Sequence, residues 1–288
     1  MKQSRCVVLF ALWIAAAVLL PVAAGADDSR PVVDNWLCYY GDVFGPEIYT
    51  RFDLVVLDSR HHPPLPETDD HPPILGYLSV GEVDGKGPYW EKVRQADFLV
   101  KENQAWNSWI VDVRDHAWQR LLLEDAIPEI FEKGFDGLFL DTFDSSLYLL
   151  DLPDGERYRG VEKALLAIII AIKSTYPDKW IVVNRGLAIL PDIAPWIDFV
   201  VYEDLYSYYD HQTRRYEKVS ATSREELMPF IEKGLAANPD LGLLSIDYAS
   251  VDQPELAMEA IRFARKKGFI PYVSNVELDQ IFLYTLNR

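Results

Sequence analysis

Gly134-Phe135-Asp136-Gly137-Leu138-Phe139-Leu140-Asp141-Thr142-Phe143-Asp144 reads as a turn, then a short apolar strand that stops on a carboxylate. Phe199-Val200-Val201-Tyr202-Glu203-Asp204 repeats the pattern. Outward from these two, apolar runs recur at Asn35–Tyr40, Leu54–Asp58, Ile74–Val80, Trp109–Val113, Trp180–Asn184, Leu241–Asp247 and Ile270–Ser274. Most are near-continuous rather than alternating, as expected of strands buried on both faces of a parallel sheet. Segments of helical or loop character separate them. This alternation, with no change of composition along the chain, predicts an α/β fold of the (β/α)8 TIM-barrel type. Nine strand candidates for eight places imply one extra strand outside the barrel. A doubly wound open sheet is the alternative, but no glycine-rich phosphate loop follows the first strand.

Several helices are legible. Val161, Leu165, Ile168, Ile169 and Ile172 form one apolar stripe at helical spacing. Ser223-Arg224-Glu225-Glu226 reads as a capping box opening a helix that Gly234 closes. Pro254 starts another, ended by Gly268. His116 to Lys133 is helical in pattern, with Pro128 expected to kink or divide it. His61-His62-Pro63-Pro64-Leu65-Pro66 through His71-Pro72-Pro73 reads as a stiff loop after the second strand.

The first residues have the form of a secretory signal: Lys2 and Arg5, an apolar core from Cys6 to Leu20, and small residues at Ala24-Gly25-Ala26. The apolar run is short for a spanning helix and ends at Pro21. The expected organisation is a signal peptide over 1–26, a linker over 27–34 and one catalytic domain over 35–288. The product would be secreted or periplasmic, monomeric, and without stable membrane insertion after cleavage. Cleavage leaves Cys38 as the sole cysteine, excluding an internal disulfide and suggesting a buried packing residue. Removing Lys2 and Arg5 also takes the formal charge from −17 to −19. Such a field repels nucleic acid and attracts cations or a polycationic substrate.

In a barrel the C-terminal strand ends form the active face. Asp58, Glu82, Asp112, Arg114, Asp141, Asp144, Asn184, Glu203, Asp204, Asp247 and Tyr248 would gather there. Crowded carboxylates raise one another's pKa, which keeps a general acid protonated near neutrality. Hydrolysis of a glycosidic bond requires two carboxylates flanking it, and Asp141 and Glu203 are the candidate pair. The shorter Asp suits a nucleophile, and the longer Glu suits acid/base work. Asn184 suits a sugar hydroxyl, Arg114 a carboxylate, and Asp136, ahead of its strand, belongs to the bottom face. Tyr202, Tyr206, Tyr208 and Tyr209, with Trp36 and Trp90, are candidate sugar-stacking aromatics. The histidine spacing matches no zinc pattern, no Gly-x-Ser-x-Gly elbow is present, and neither metal nor cofactor is expected.

Trp36–Gly41, Tyr77-Leu78-Ser79-Val80-Gly81-Glu82, Trp109–Arg114, Gly134–Asp144, Val182–Gly186, Val201-Tyr202-Glu203, Ile246-Asp247-Tyr248-Ala249 and Gly268–Ser274 together resemble the barrel domain of the endo-α-1,4-polygalactosaminidases, glycoside hydrolase family 114. The resemblance spans essentially the whole mature chain and lies in the ordered set. It implies a metal-free barrel that cuts α-1,4-linked galactosamine polymers, including the partly deacetylated cationic exopolysaccharide of biofilms. It places the family's catalytic Asp and Glu on Asp141 and Glu203. It places groove-lining positions on Asp58, Glu82, Arg114, Asn184, Asp247 and Tyr248. The other classes to weigh are a non-catalytic glycan-binding barrel and a metal-dependent polysaccharide deacetylase.

Overall fold

Eight strands follow one another around a parallel sheet: β1 (Trp36–Tyr39), β2 (Leu54–Leu57), β3 (Ile74–Ser79), β4 (Gly137–Asp141), β5 (Trp180–Asn184), β6 (Phe199–Glu203), β7 (Gly242–Tyr248) and β8 (Ile270–Ser274). The computed structural model describes residues 31–68 and 70–286; the signal peptide expected over 1–26 and residues 27–30 of the expected linker lie outside them. Every neighbouring pair from β1 to β8 is parallel. The sheet nearly closes where β8 returns to β1. There the Trp36 indole donates to the Ile270 carbonyl at 3.0 Å, and its ring packs on Tyr272. The result is a (β/α)8 barrel with a main core running through it and a smaller apolar cluster beneath the C-terminal helix that starts at Pro254.

The ninth candidate is identified by its partners. Ser108–Val111 pairs antiparallel with Glu82–Asp84 and Leu99–Asn103 in a three-stranded sheet inserted between β3 and β4. It looked like a barrel strand because Ile110 and Val111 are buried as fully as barrel residues. A two-stranded hairpin, Ser207–Asp210 with Arg215–Lys218, sits between β6 and β7.

The helices around the barrel are uneven. Between β1 and β2 there is a single turn, Pro46–Tyr49, and between β2 and β3 the Pro/His-rich loop replaces a helix. Val161–Thr175 buries the stripe read from sequence. The run from His116 stays helical to Glu132. It widens into a π-type turn over Leu121–Ala126, which accommodates Pro128 without a break. The helix expected at Ser223 begins earlier, at Ala221, because Ser220 caps it by accepting from the Ser223 amide. Gly234 lies inside the helix Met228–Ala237, where an added Cβ would meet Leu190 at 2.7 Å; close packing, not helix termination, requires it. Gly268, at φ +86°, does end the helix Pro254–Lys266.

At the bottom of the barrel one device recurs. The residue immediately before β2, β4 and β6 is Asp53, Asp136 and Asp198 in turn. Asp53 accepts from the amides of Asp34 and Asn35, Asp136 from Ile74, and Asp198 from Ile181, at 2.8–3.0 Å. Each carboxylate thus stitches the start of its strand to the start of the preceding one, and the backbone returns the bond from the same aspartate's amide. Asp136→Ala leaves the Ile74 amide unpaired and should cost about 1–3 kcal/mol in denaturant unfolding. The carboxylates at the far end of the barrel should be undisturbed.

Candidate active site

Alternation along three adjacent strands sets the centre of the site. In β4, Phe139 and Asp141 face inward; in β5 it is Asn184, and in β6 Glu203. Phe139 pairs with Val182, two residues before Asn184, so Asp141 and Asn184 stand level. Asn184 pairs with Val201, so Glu203 stands two residues higher. The Asn184 side-chain nitrogen spans that step, donating to Asp141 Oδ1 at 3.0 Å and to Glu203 Oε2 at 2.7 Å. Those two oxygens can therefore be at most about 5.7 Å apart, the sum of the two lengths, and about 5 Å if the amide's two hydrogens, roughly 120° apart, each point at one.

Each carboxylate also receives one phenol. Tyr77 donates to Asp141 Oδ2 at 2.9 Å, and Tyr248 donates to Glu203 Oε1 at 2.5 Å. Burial, then the adjacent carboxylate's charge, pushes both phenols well above their ordinary range, so they remain donors. Burial followed by the repulsion of Glu203 pushes Asp141 up to about 6. The Glu203 charge thus holds a proton on Asp141 to a higher pH than a lone aspartate would keep it.

Immediately after each of these strand ends the backbone turns left-handed at a residue other than glycine: Thr142 (φ 66°), Arg185 (φ 58°) and Asp204 (φ 58°). Such conformations cost about 1 kcal/mol or more and persist where surroundings over-determine them. At Thr142 the cause is visible. Its hydroxyl donates to the Asp141 carbonyl and accepts from the Gly81 amide, and Gly81 comes so close that a Cβ there would lie 2.1 Å from the Thr142 carbonyl oxygen.

The carboxylate pair opens into a cavity of about 630 Å³, a size suited to several sugar atoms at once. Of the residues expected on the rim, Asp58, Glu82, Asp141, Asp144, Asn184, Glu203 and Tyr248 line it. Several of these are already engaged. Glu82 accepts from Ser108, from Ser145 at 2.5 Å and from Asn103 at 3.1 Å, anchoring the inserted sheet to the helix Phe143–Tyr148 after β4. Asp144 holds the Arg185 guanidinium at 2.7 Å and the Gly186 amide at 3.0 Å. Asp58 accepts from the Arg60 amide.

Arg114, Tyr202 and Asp247 lie outside the cavity. Arg114 is clamped in a two-point bond to Asp112 and donates to the Arg159 carbonyl. Tyr202 immediately precedes inward-facing Glu203 and so must face out, where it meets Phe269 edge-on. Asp247 precedes inward-facing Tyr248 for the same reason, and it accepts from the amides of Tyr206 and Ser207 beneath the hairpin. The stacking candidates Trp36, Trp90, Tyr206, Tyr208 and Tyr209 are also absent from the lining, and Trp36 is wholly in the core. In their place stand Tyr40, Tyr77 and Trp106, with Arg60, Arg185 and Glu277 adding charge. Counting back by two from Ser79 would have found Tyr77; nothing in the local pattern announces Trp106. Cys38 is buried at the cavity floor, and burial pushes its thiol far up. His62 packs edge-on against Phe135, and its Nδ1 lies 2.8 Å from the Pro63 carbonyl. Among the described residues no three His, Cys, Asp or Glu side chains form a group able to hold a metal ion.

Outside the cavity, Asp204 and Asp247 form a second acidic pair. Burial and then the Glu203 charge push Asp204 up to about 8, and burial pushes Asp247 up to about 7. Asp247 Oδ2 and Asp204 Oδ1 are buried without a hydrogen-bond partner among the described residues. In the folded chain both hold a proton at pH values where the unfolded chain, near 3.8, has lost it. Their contribution therefore falls as pH rises through about 7 to 8. The melting temperature should rise on going from about pH 8.5 to about 5.5, and the double substitution Asp204→Asn, Asp247→Asn should flatten that slope. A parent protein that instead loses stability across the same interval would contradict it.

The model for glycoside-hydrolase family GH114 matches residues 20–288. The glycoside hydrolase domain of PelA from Pseudomonas aeruginosa is similar at TM-score 0.74 and 28% identity, covering 86% of this chain and 97% of that one. Ega3 of Aspergillus fumigatus, solved in complex with galactosamine, shares the fold at TM-score 0.64 and 12% identity, over 88% of this chain and 96% of its own. An uncharacterized protein of Deinococcus radiodurans is 28% identical over 276 residues, 87% of this chain and 83% of that protein.

Proposed function

Because this chain belongs to glycoside hydrolase family GH114 and is a glycoside hydrolase, we propose that it is an exported, endo-acting enzyme. Its proposed substrate is α-1,4-linked, galactosamine-rich polysaccharide, and its mechanism is retaining, through Asp141 and Glu203. The observation that carries the reading is the carboxylate pair bridged by the Asn184 amide inside one cavity. The spacing that this bridge permits agrees with the 5–5.5 Å typical of retaining enzymes, against about 6.5–9.5 Å for inverting ones.

In this mechanism one Asp141 oxygen attacks the anomeric carbon while Glu203 gives its proton to the departing glycosidic oxygen. A sugar ester of Asp141 results. Glu203, now a carboxylate, takes a proton from water, and that water displaces Asp141 from the anomeric carbon. The charge of the cavity supports a cationic substrate. Asp58, Glu82, Asp84, Asp141, Asp144, Glu203 and Glu277 share the lining with two arginines, and these are already paired, Arg60 with Asp84 and Arg185 with Asp144. The excess negative charge raises the local concentration of a polycation. Of the two solved relatives above, one was crystallised with galactosamine.

The test is mass spectrometry of fragments released from a partly acetylated α-1,4-galactosamine polymer. A ladder of oligomers is the expected result. Retention is read by NMR as first-formed α-anomers. Binding of the polymer without release of any fragment would replace hydrolysis of this substrate with recognition alone.

A further inference from the structure

Of the large apolar side chains left exposed among the described residues, Trp106 alone lines the catalytic cavity. It is 60% exposed. It sits at the tip of the inserted sheet, in the turn between Leu99–Asn103 and Ser108–Val111. The turn is held from below: the Trp106 amide donates to the Asn103 carbonyl, Asn107 adopts φ 52°, and its carbonyl accepts from the Gly85 amide. An indole displayed on a braced turn gives up the burial that usually makes tryptophan favourable.

The ring is also supported from the opposite side of the mouth. His211, in the turn of the hairpin between β6 and β7, meets Trp106 edge-to-face with centroids 5.5 Å apart. His211 in turn packs at 5.1 Å on Tyr209, and Tyr209 packs at 4.9 Å on Tyr216. The Tyr216 hydroxyl accepts from the Val276 amide, in the loop after β8. The inserted sheet and the hairpin therefore meet at the indole, and the loop after β8 braces the hairpin behind it. An edge-to-face neighbour can cover at most one face of the ring, and the exposure of Trp106 leaves the other open.

We infer that Trp106 is the stacking platform of the cavity, binding the C–H face of a galacto-configured amino sugar, with His211 fixing its angle. The inference rests on the proposed substrate class and deepens it. In a galacto-configured pyranose the axial 4-hydroxyl leaves one face lined by C–H bonds, which matches an indole face. An ammonium group on the same ring gains a further attraction to the indole's electron-rich face, strongest for tryptophan among the aromatics. Trp106 touches the sugar without taking part in bond cleavage, so its effect belongs to KM more than to kcat.

Two measurements separate this inference from the reading it rests on. Calorimetry follows a galactosamine hexamer binding to the Asp141→Asn protein, alone and with Trp106→Ala, Trp106→Phe or His211→Ala added. Kinetics follow the same substitutions at Trp106 and His211 in the active protein. Trp106→Ala should weaken binding and raise KM by about tenfold, and Trp106→Phe should recover most of the loss. His211→Ala should fall between. Exposed turn positions tolerate these changes, so folding is not in question. Unchanged affinity in Trp106→Ala, with cleavage intact in the parent, overturns the platform and leaves the proposed function standing. A parent that neither binds nor cuts galactosamine oligomers overturns both.

Discussion

Asp141→Asn is expected to fold normally and to lose about a thousandfold or more of kcat on a galactosamine polymer. The substitution keeps the shape that Tyr77 and Asn184 grip, but removes the oxygen that forms the ester in the proposed mechanism. Its melting temperature should match or exceed that of the parent, because the carboxyl it deletes is one that burial penalises when charged. Glu203→Gln should be comparably inactive on the polymer, yet should cleave a substrate whose leaving group needs no proton. Added azide should rescue the Asp141 variant as the inverted glycosyl azide and the Glu203 variant as the retained one.

The pH dependence distinguishes the two roles. A nucleophile must be ionised, so with Asp141 near 6 the activity should fall on the acid side of about pH 6. If Asp141 were the proton donor, the fall near that value would lie on the alkaline side. The first outcome supports the assignment made above, and the second exchanges the two residues.

Asn184→Ala is expected to cost roughly a hundredfold in kcat/KM, from the loss of one donor shared by two charged acceptors, each such bond worth about 1.5–3 kcal/mol. Among the described residues no other side chain hydrogen-bonds to both carboxylates. Without it their repulsion is less screened, so the acid limb of the pH profile should move upward. That movement separates a positioning role from simple damage to the fold, which would lower activity without shifting the limb. An Asn184→Ala protein with the parental pH profile would show that the amide is incidental.

The barrel was legible because its strands are buried on both faces, and an apolar run bounded by turns survives in the sequence unaltered. Trp109–Val113 carried the same signature for a different reason: the inserted sheet is buried where it lies over the barrel. The strands missed altogether, Glu82–Asp84, Leu99–Asn103, Ser207–Asp210 and Arg215–Lys218, are short or polar, and their pairing is visible only in three dimensions. At the rim, proximity to a strand end selected Tyr202 and Asp247, yet consecutive residues in a strand face opposite ways. With Glu203 and Tyr248 inward, their predecessors had to face out. Arg114 failed differently, since it lies in the turn between the inserted sheet and the helix at His116, with its charge held by Asp112. Trp106 depends on how two distant loops meet, and no local pattern encodes that.

The aspartates beneath β2, β4 and β6 have a consequence for how the chain tolerates being cut. Each ties an even-numbered strand to the odd one before it, so the barrel's lower end is laced in pairs: β1 with β2, β3 with β4, β5 with β6. A circular permutant opened between pairs, in the connection from β4 to β5 or from β6 to β7, keeps every lacing within one covalent stretch. One opened inside a pair, between β3 and β4, makes the same stitch depend on the two ends of the new chain finding each other. The natural units of this barrel, for splitting or recombination, are therefore strand pairs rather than single strand–helix repeats.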